Sequence, residues 1–177
     1  MQEQLDRLEQ ILEDGLVKLC SSSSFLEELL SSPDIDGKWD AFIMEYVADA
    51  VENINQYPDA AIGFAAFLGM GVAFHWDTDW EANKENSYRD YYGSKGFDNM
   101  DDHILEDILV LPDSEARHIS NMVYSCVQAT LALLRHENVD FQTEFGFYAL
   151  GRCFSVMFRL GEALELHRLG YRKHICN

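Results

Sequence analysis

AAIGFAAFLGMGVAFHW, residues 60–76, contains no charged side chain, and how it is read decides the fold. It falls just short of the ~20 apolar residues that a membrane span needs. Asp59, Asp77 and Asp79 flank it, with no Lys or Arg nearby to anchor it at an interface. Gly63, Gly69 and Gly71 stand among alanines and would let neighbouring helices come close. The sequence therefore predicts a helix near 59–80 buried inside a helical protein, and no membrane association.

On the N-terminal side, Leu5, Leu8, Leu12, Leu16 and Leu19 mark one face of a helix over 2–19, with Glu3, Asp6, Glu9 and Glu13 opposite. Ser21 to Ser24 form a polar break that predicts a short helix over Phe25 to Leu30. Pro33 is read as a turn before Asp36 and Gly37. Trp39, Phe42, Ile43, Tyr46, Val47, Ala50, Val51 and Ile54 then recur at helical spacing over 39–57. Pro58 and Pro112 each stand where a helix can begin, since the first turn tolerates a missing N–H.

On the C-terminal side, 81–97 (EANKENSYRDYYGSKGF) is irregular and holds Tyr88, Tyr91, Tyr92 and Phe97. Such a loop either packs back on the bundle or presents a binding surface. A short helix is predicted over 99–110, a longer one over 114–136, and the longest near 141–169, capped by Asp140. Apolar residues cover most of the circumference of that last helix. They leave a polar stripe of Glu144, Tyr148, Arg152, Ser155, Arg159 and Glu162. No strand-like alternation occurs. The expected fold is all-α: one antiparallel helical bundle of six or seven helices spanning 1–177 as a single domain.

With 47% hydrophobic and 12% aromatic residues, the 177-residue chain can bury a core, which excludes an intrinsically disordered chain. A formal charge of −18 argues against nucleic-acid binding through a basic patch, because that affinity rests on clustered cations. The charge is uneven. Residues 1–115 hold 26 acids and 6 bases, and residues 116–177 hold 5 acids and 7 bases. The expectation is that the last two helices form an inner layer wrapped by acidic ones. Cys20, Cys126, Cys153 and Cys176 have no CxxC spacing and read as free thiols. The N-terminus lacks a basic region followed by an apolar one, so no signal peptide is expected and the location is read as cytoplasmic.

Three acid–histidine patches could carry chemistry. His75, Asp77 and Asp79 end the buried helix, with His75 and Asp79 at i, i+4 on one face. His103 and Glu106 are spaced i, i+3 beside Asp98, Asp101 and Asp102. Glu115 and His118 have the ExxH spacing of di-iron bundles, but those require a second motif and two further inward glutamates. If the patches converged, they could hold a divalent metal. No cofactor is otherwise expected. His167, His174 and Cys176 could chelate a metal, but a frayed terminus is the simpler reading. Tyr91 and Lys95 match a dehydrogenase spacing without the Gly-rich turn that would hold a dinucleotide.

Three functions are compatible with these residues. The first is a protein-interaction or regulatory module, hetero- or homodimeric, using an acidic surface and the loop: Tyr88, Tyr91, Tyr92, Phe97, Asp101 and Asp102. The second is a metal-dependent hydrolase or oxidase built from His75, Asp77, Asp79, His103, Glu106, Glu115 and His118. The third is an anionic-ligand binder using Arg152 and Arg159, which otherwise must find acidic partners within the bundle.

Overall fold

The structure is a computed structural model that describes residues 1–172, so His174 and Cys176 lie outside the described residues. It is all-α, with seven helices among those residues. They are α1 (Gln2–Ser22), α2 (Pro33–Asn53), α3 (Pro58–Asn83), α4 (Tyr88–Tyr92), α5 (Met100–Asp102), α6 (Asp113–His136) and α7 (Glu144–Arg168). A 3₁₀ turn, Phe97–Asn99, leads into α5, which runs on as a π-helical turn, His103–Ile108.

α3 occupies the centre. It is long and apolar enough to cross a membrane, but most of it is buried against other helices. Residues 61–73 are buried without interruption. Its closest partner is α7, and two glycines set their approach. A Cβ on Gly69 would overlap the Phe158 carbonyl, and one on Gly161 would overlap the Ala66 carbonyl. Backbone therefore lies directly on backbone. The inner layer is α3 with α7 rather than the last two helices. α6 keeps an exposed polar face because its apolar residues, such as Ile119, Met122, Val123 and Cys126, form one stripe.

Direction follows from which residues meet. Ala66 lies against Gly161, and Trp76 against Tyr171 beyond the end of α7, so α3 and α7 run the same way. Ser32 meets Glu162, and Trp39 meets Ser155 and Phe158, so α2 runs opposite to α7. Helices adjacent in sequence, such as α2 and α3, reverse direction, because their short connections allow nothing else.

Several boundaries differ from the sequence reading. Pro33 is the first residue of α2, so the helix begins six residues before Trp39. Phe25–Leu30 is not helical: Ser24 adopts a positive φ of 62°, and the chain then runs as an irregular, bent segment that buries Leu26 and Leu30. α7 starts at Glu144, where the Thr143 hydroxyl accepts the Gly146 N–H at 3.0 Å. Asp140 instead accepts from the Gln142 N–H in the preceding turn.

The 81–97 segment packs back on the bundle. α3 continues through Asn83, α4 is closed by a capping box between Ser87 and Asp90, and Tyr88 and Tyr91 are fully buried. Their rings join an aromatic cluster with Phe42 and Tyr46. Buried tyrosines need partners for their hydroxyls. Tyr88 donates to Asp49 at 2.9 Å, Tyr46 donates to the Ala61 carbonyl at 2.8 Å, and Tyr91 meets His75 at 3.0 Å.

Candidate functional site

The three acid–histidine patches do not assemble. His75 is half-buried and hydrogen-bonded to Tyr91, and burial lowers its pKa. It does not pair with Asp79, because α3 breaks there (φ −161°, ψ 80°) and Asp79 accepts the Ala82 N–H as a cap for the restarted helix. Asp77 accepts from the Tyr171 hydroxyl at 2.6 Å. Both ring nitrogens of His103 are engaged, Nδ1 by Asp107 at 2.9 Å and Nε2 by the Asp90 carbonyl at 3.1 Å. Glu106 is exposed on the outer side of the π turn. Glu115 reaches Arg168 at 3.5 Å, and His118 stacks on Phe25. Among the described residues, no group of three or more His, Cys, Asp or Glu side chains is placed to hold a metal ion.

The arginine stripe of α7 is satisfied from within the bundle. Arg152 binds Asp6 at 2.9 Å and also Glu9, while Arg159 binds Glu9 at 3.0 Å and Glu13 at 2.6 Å. These ion pairs fasten α1 along α7 and use the acidic face that the heptad-like leucines of α1 leave outward. Neither guanidinium is left free as an anion receptor.

The loop aromatics supply little surface. Besides Tyr88 and Tyr91, Phe97 packs against Tyr46 and Phe64, and Tyr92 against Tyr88. This corrects the expected aromatic interaction surface. Asp102 remains exposed. Asp101 is half-buried beside α3 and α6, and burial raises its pKa.

Exposed apolar side chains gather elsewhere. Met44 on α2 is 80% exposed, and Phe147 and Tyr148 on α7 are 46% and 47% exposed. With Ile43, Val47 and Gly151 they line an open groove of about 350 Å³ between the two antiparallel helices. Arg152 and Ser155 complete its lining, the guanidinium already paired with Asp6 and Glu9. Gly151 forms the floor, and a Cβ there would meet nothing within 4 Å. Asp40 lies one turn before Met44, and Glu144 one turn before Tyr148, each on the same helical face and exposed. An apolar trough thus has an acid near each end. Met44 was missed because it falls off the α2 core stripe; a large apolar residue off the stripe is itself the signal. The excess apolar circumference of α7 was legible.

A second cleft, of about 330 Å³, lies between the turn after α1 and the ends of α6 and α7. Glu115, His118, His167 and Arg168 line it. Behind them Glu165 is fully buried and bonded to Arg168 at 2.6 Å. Burial pushes its pKa up to about 7, Arg168 opposes this, and Glu115 and Asp77 add to it. One turn earlier Glu162 accepts the Ser32 N–H at 2.8 Å with one carboxylate oxygen, while the other is buried without a partner. Burial first, and then Asp36, raises Glu162 to about 9. Neither glutamate stood out in the sequence as more than stripe or surface.

Comparison of the chain with protein-family models, with curated proteins and with solved structures returns no match, so the chemistry of these residues is the ground for any function assigned to them.

Proposed function

We propose that the protein is an interaction module whose α2–α7 groove receives an amphipathic, basic helix of a partner protein. The observation that carries this is the solvent-open apolar trough of Met44, Phe147 and Tyr148 with Gly151 as its floor. Contiguous exposed apolar surface rimmed by polar residues marks docking sites, and a helix laid in a groove is a recurrent way of filling one. From Phe147 to Ser155 the trough runs about 12 Å along α7, which suits two turns of a partner helix with anchors at i, i+3 or i+4, and i+7. Asp40 and Glu144 near its ends, on a chain of net charge −18, favour Lys or Arg on the rim of that helix. A second copy of this chain would bring the same acids against them.

The test is a panel of labelled synthetic helices read by fluorescence anisotropy. An amphipathic basic peptide should bind, its sequence-scrambled and acidic counterparts should not, and Met44→Ser with Tyr148→Ser should weaken binding at least tenfold, about 1.4 kcal/mol. Equal binding of scrambled and amphipathic peptides would contradict the proposal. So would a concentration-dependent dimer in sedimentation that the same two substitutions dissolve, since the groove would then serve self-association.

The cleft beside His118 favours a second reading, binding of a small neutral or cationic molecule. Its Arg168 is already balanced by Glu165 and Glu115, which leaves no free positive charge for an anion. Saturation-transfer NMR with small amines and uncharged heterocycles tests this. A ligand signal that disappears with His118→Ala supports it, and an empty screen removes it.

A further inference from the structure

Three sulfur atoms meet in the core between α1 and α6. Cys20 stands near the end of α1, while Met122 and Cys126 face it from successive turns of α6. The Cys20 and Cys126 Sγ atoms are 3.6 Å apart, and Met122 Sδ lies 3.6 Å from the first and 3.9 Å from the second. Both thiols are fully buried. The point equidistant from the three sulfurs lies about 2.1 Å from each, against ~2.3 Å for a metal–thiolate bond. Spreading the triangle by a few tenths of an ångström would seat an ion in its plane.

We propose that Cys20, Cys126 and Met122 form a three-coordinate, all-sulfur site for Cu(I). Thiolate and thioether donors select soft cations, Cu(I) first among the common ones. Zn(II) instead takes four ligands, and no fourth His, Cys, Asp or Glu stands with these two cysteines among the described residues. On binding, each cysteine gives up its proton to solvent and Met122 contributes a lone pair. Two protons leave for each Cu(I) bound, copper keeps its oxidation state, and the site carries one net negative charge.

A cleft approaches the site. The Phe25 N–H donates to the Cys20 carbonyl at 3.0 Å, and Ser23, Ser24 and Phe25 form one wall of the 330 Å³ cleft. The facing wall includes Ile119, one turn before Met122 on α6, with His118 at the mouth stacked on Phe25. The proposal is independent of the groove between α2 and α7.

The reduced full-length protein is titrated anaerobically with Cu(I) against bicinchoninate as competing chelator. One equivalent should be retained, with a thiolate-to-copper absorption band and three Cu–S distances near ~2.3 Å by X-ray absorption. Cys20→Ser and Cys126→Ser should each weaken binding by at least a hundredfold. Met122→Leu, which conserves core volume and so keeps the fold testable, should weaken it about tenfold. Cys153→Ala and Cys176→Ser should leave it unchanged. Complete removal of copper by the chelator overturns the proposal, as does binding that survives Cys20→Ser but not Cys176→Ser. Oxidation of Cys20 and Cys126 to a disulfide with no copper retained overturns it too.

Discussion

Two glycines ten residues apart on α7 face opposite worlds. Gly161 lies under the Ala66 carbonyl in the tightest crossing of the molecule, and Gly151 looks into open space between Met44 and Phe147. At the first position the missing side chain lets two helices touch; at the second it leaves a trough that no described residue fills. The comparison separates a glycine kept for packing from one whose emptiness faces solvent. It also separates a C-terminal half of α7 that is buried nearly all round from an N-terminal half that keeps one exposed face.

The sharpest way to break the contrast is Gly161→Ala. The added methyl must push α3 from α7, and overpacking of this kind should cost about 3 kcal/mol. For a chain of this length that lowers Tm by roughly 6–12 °C, read by thermal and urea unfolding. Smaller per pH unit, though cumulative, is a pH effect in the same half of the helix. Glu162 keeps a proton in the folded state up to about pH 9, whereas in the unfolded chain it loses it near 4.5. The native state thus binds more protons across that window, and stability falls as pH rises, by up to ~1.4 kcal/mol per pH unit. Glu165, raised to about 7, adds a slope of the same sign up to that pH. Urea midpoints between pH 5.5 and 8.5 should decline in the native chain and decline less in Glu162→Gln, where only the Glu165 slope up to about pH 7 remains.

A smaller effect belongs to the ion-pair seam. Arg159→Ala leaves Glu9 and Glu13 without that partner and should cost about 1 kcal/mol, less in high salt because the pairs are partly exposed. The smallest is Gly151→Ala, which should stabilise the fold by about 0.5 kcal/mol, since alanine is the better helix former and meets no neighbour.

Much of the fold was legible in the residues. The uncharged 60–76 run is buried as expected, Pro58 sits at the first helical position of α3 as expected, and the α1 leucines fall on the buried face, save the partly exposed Leu19. What could not be read was tertiary. Nothing local says that Arg152 would meet Asp6, 146 residues away, or that Cys20 would meet Cys126 across 106 residues. The 25–30 segment misled for a related reason. Leu26 and Leu30 recur at helical spacing, yet the core buries them along an irregular, bent path. In 81–97 the aromatics were visible but the side they faced was not, because four tyrosine-sized rings in a polar stretch serve a core or a surface equally well. The groove was half legible: the apolar excess of α7 pointed to an interface, but Gly151 and Met44 acquire meaning only when α2 lies beside α7.

The most direct test of the groove is Gly151→Leu, followed in parallel by thermal unfolding and by binding of the amphipathic basic peptide. A Cβ at this position meets nothing within 4 Å, so the fold should keep its Tm while affinity falls at least tenfold. Unchanged affinity, or a loss of binding that merely follows a loss of fold, would contradict the assignment of this groove as the docking site.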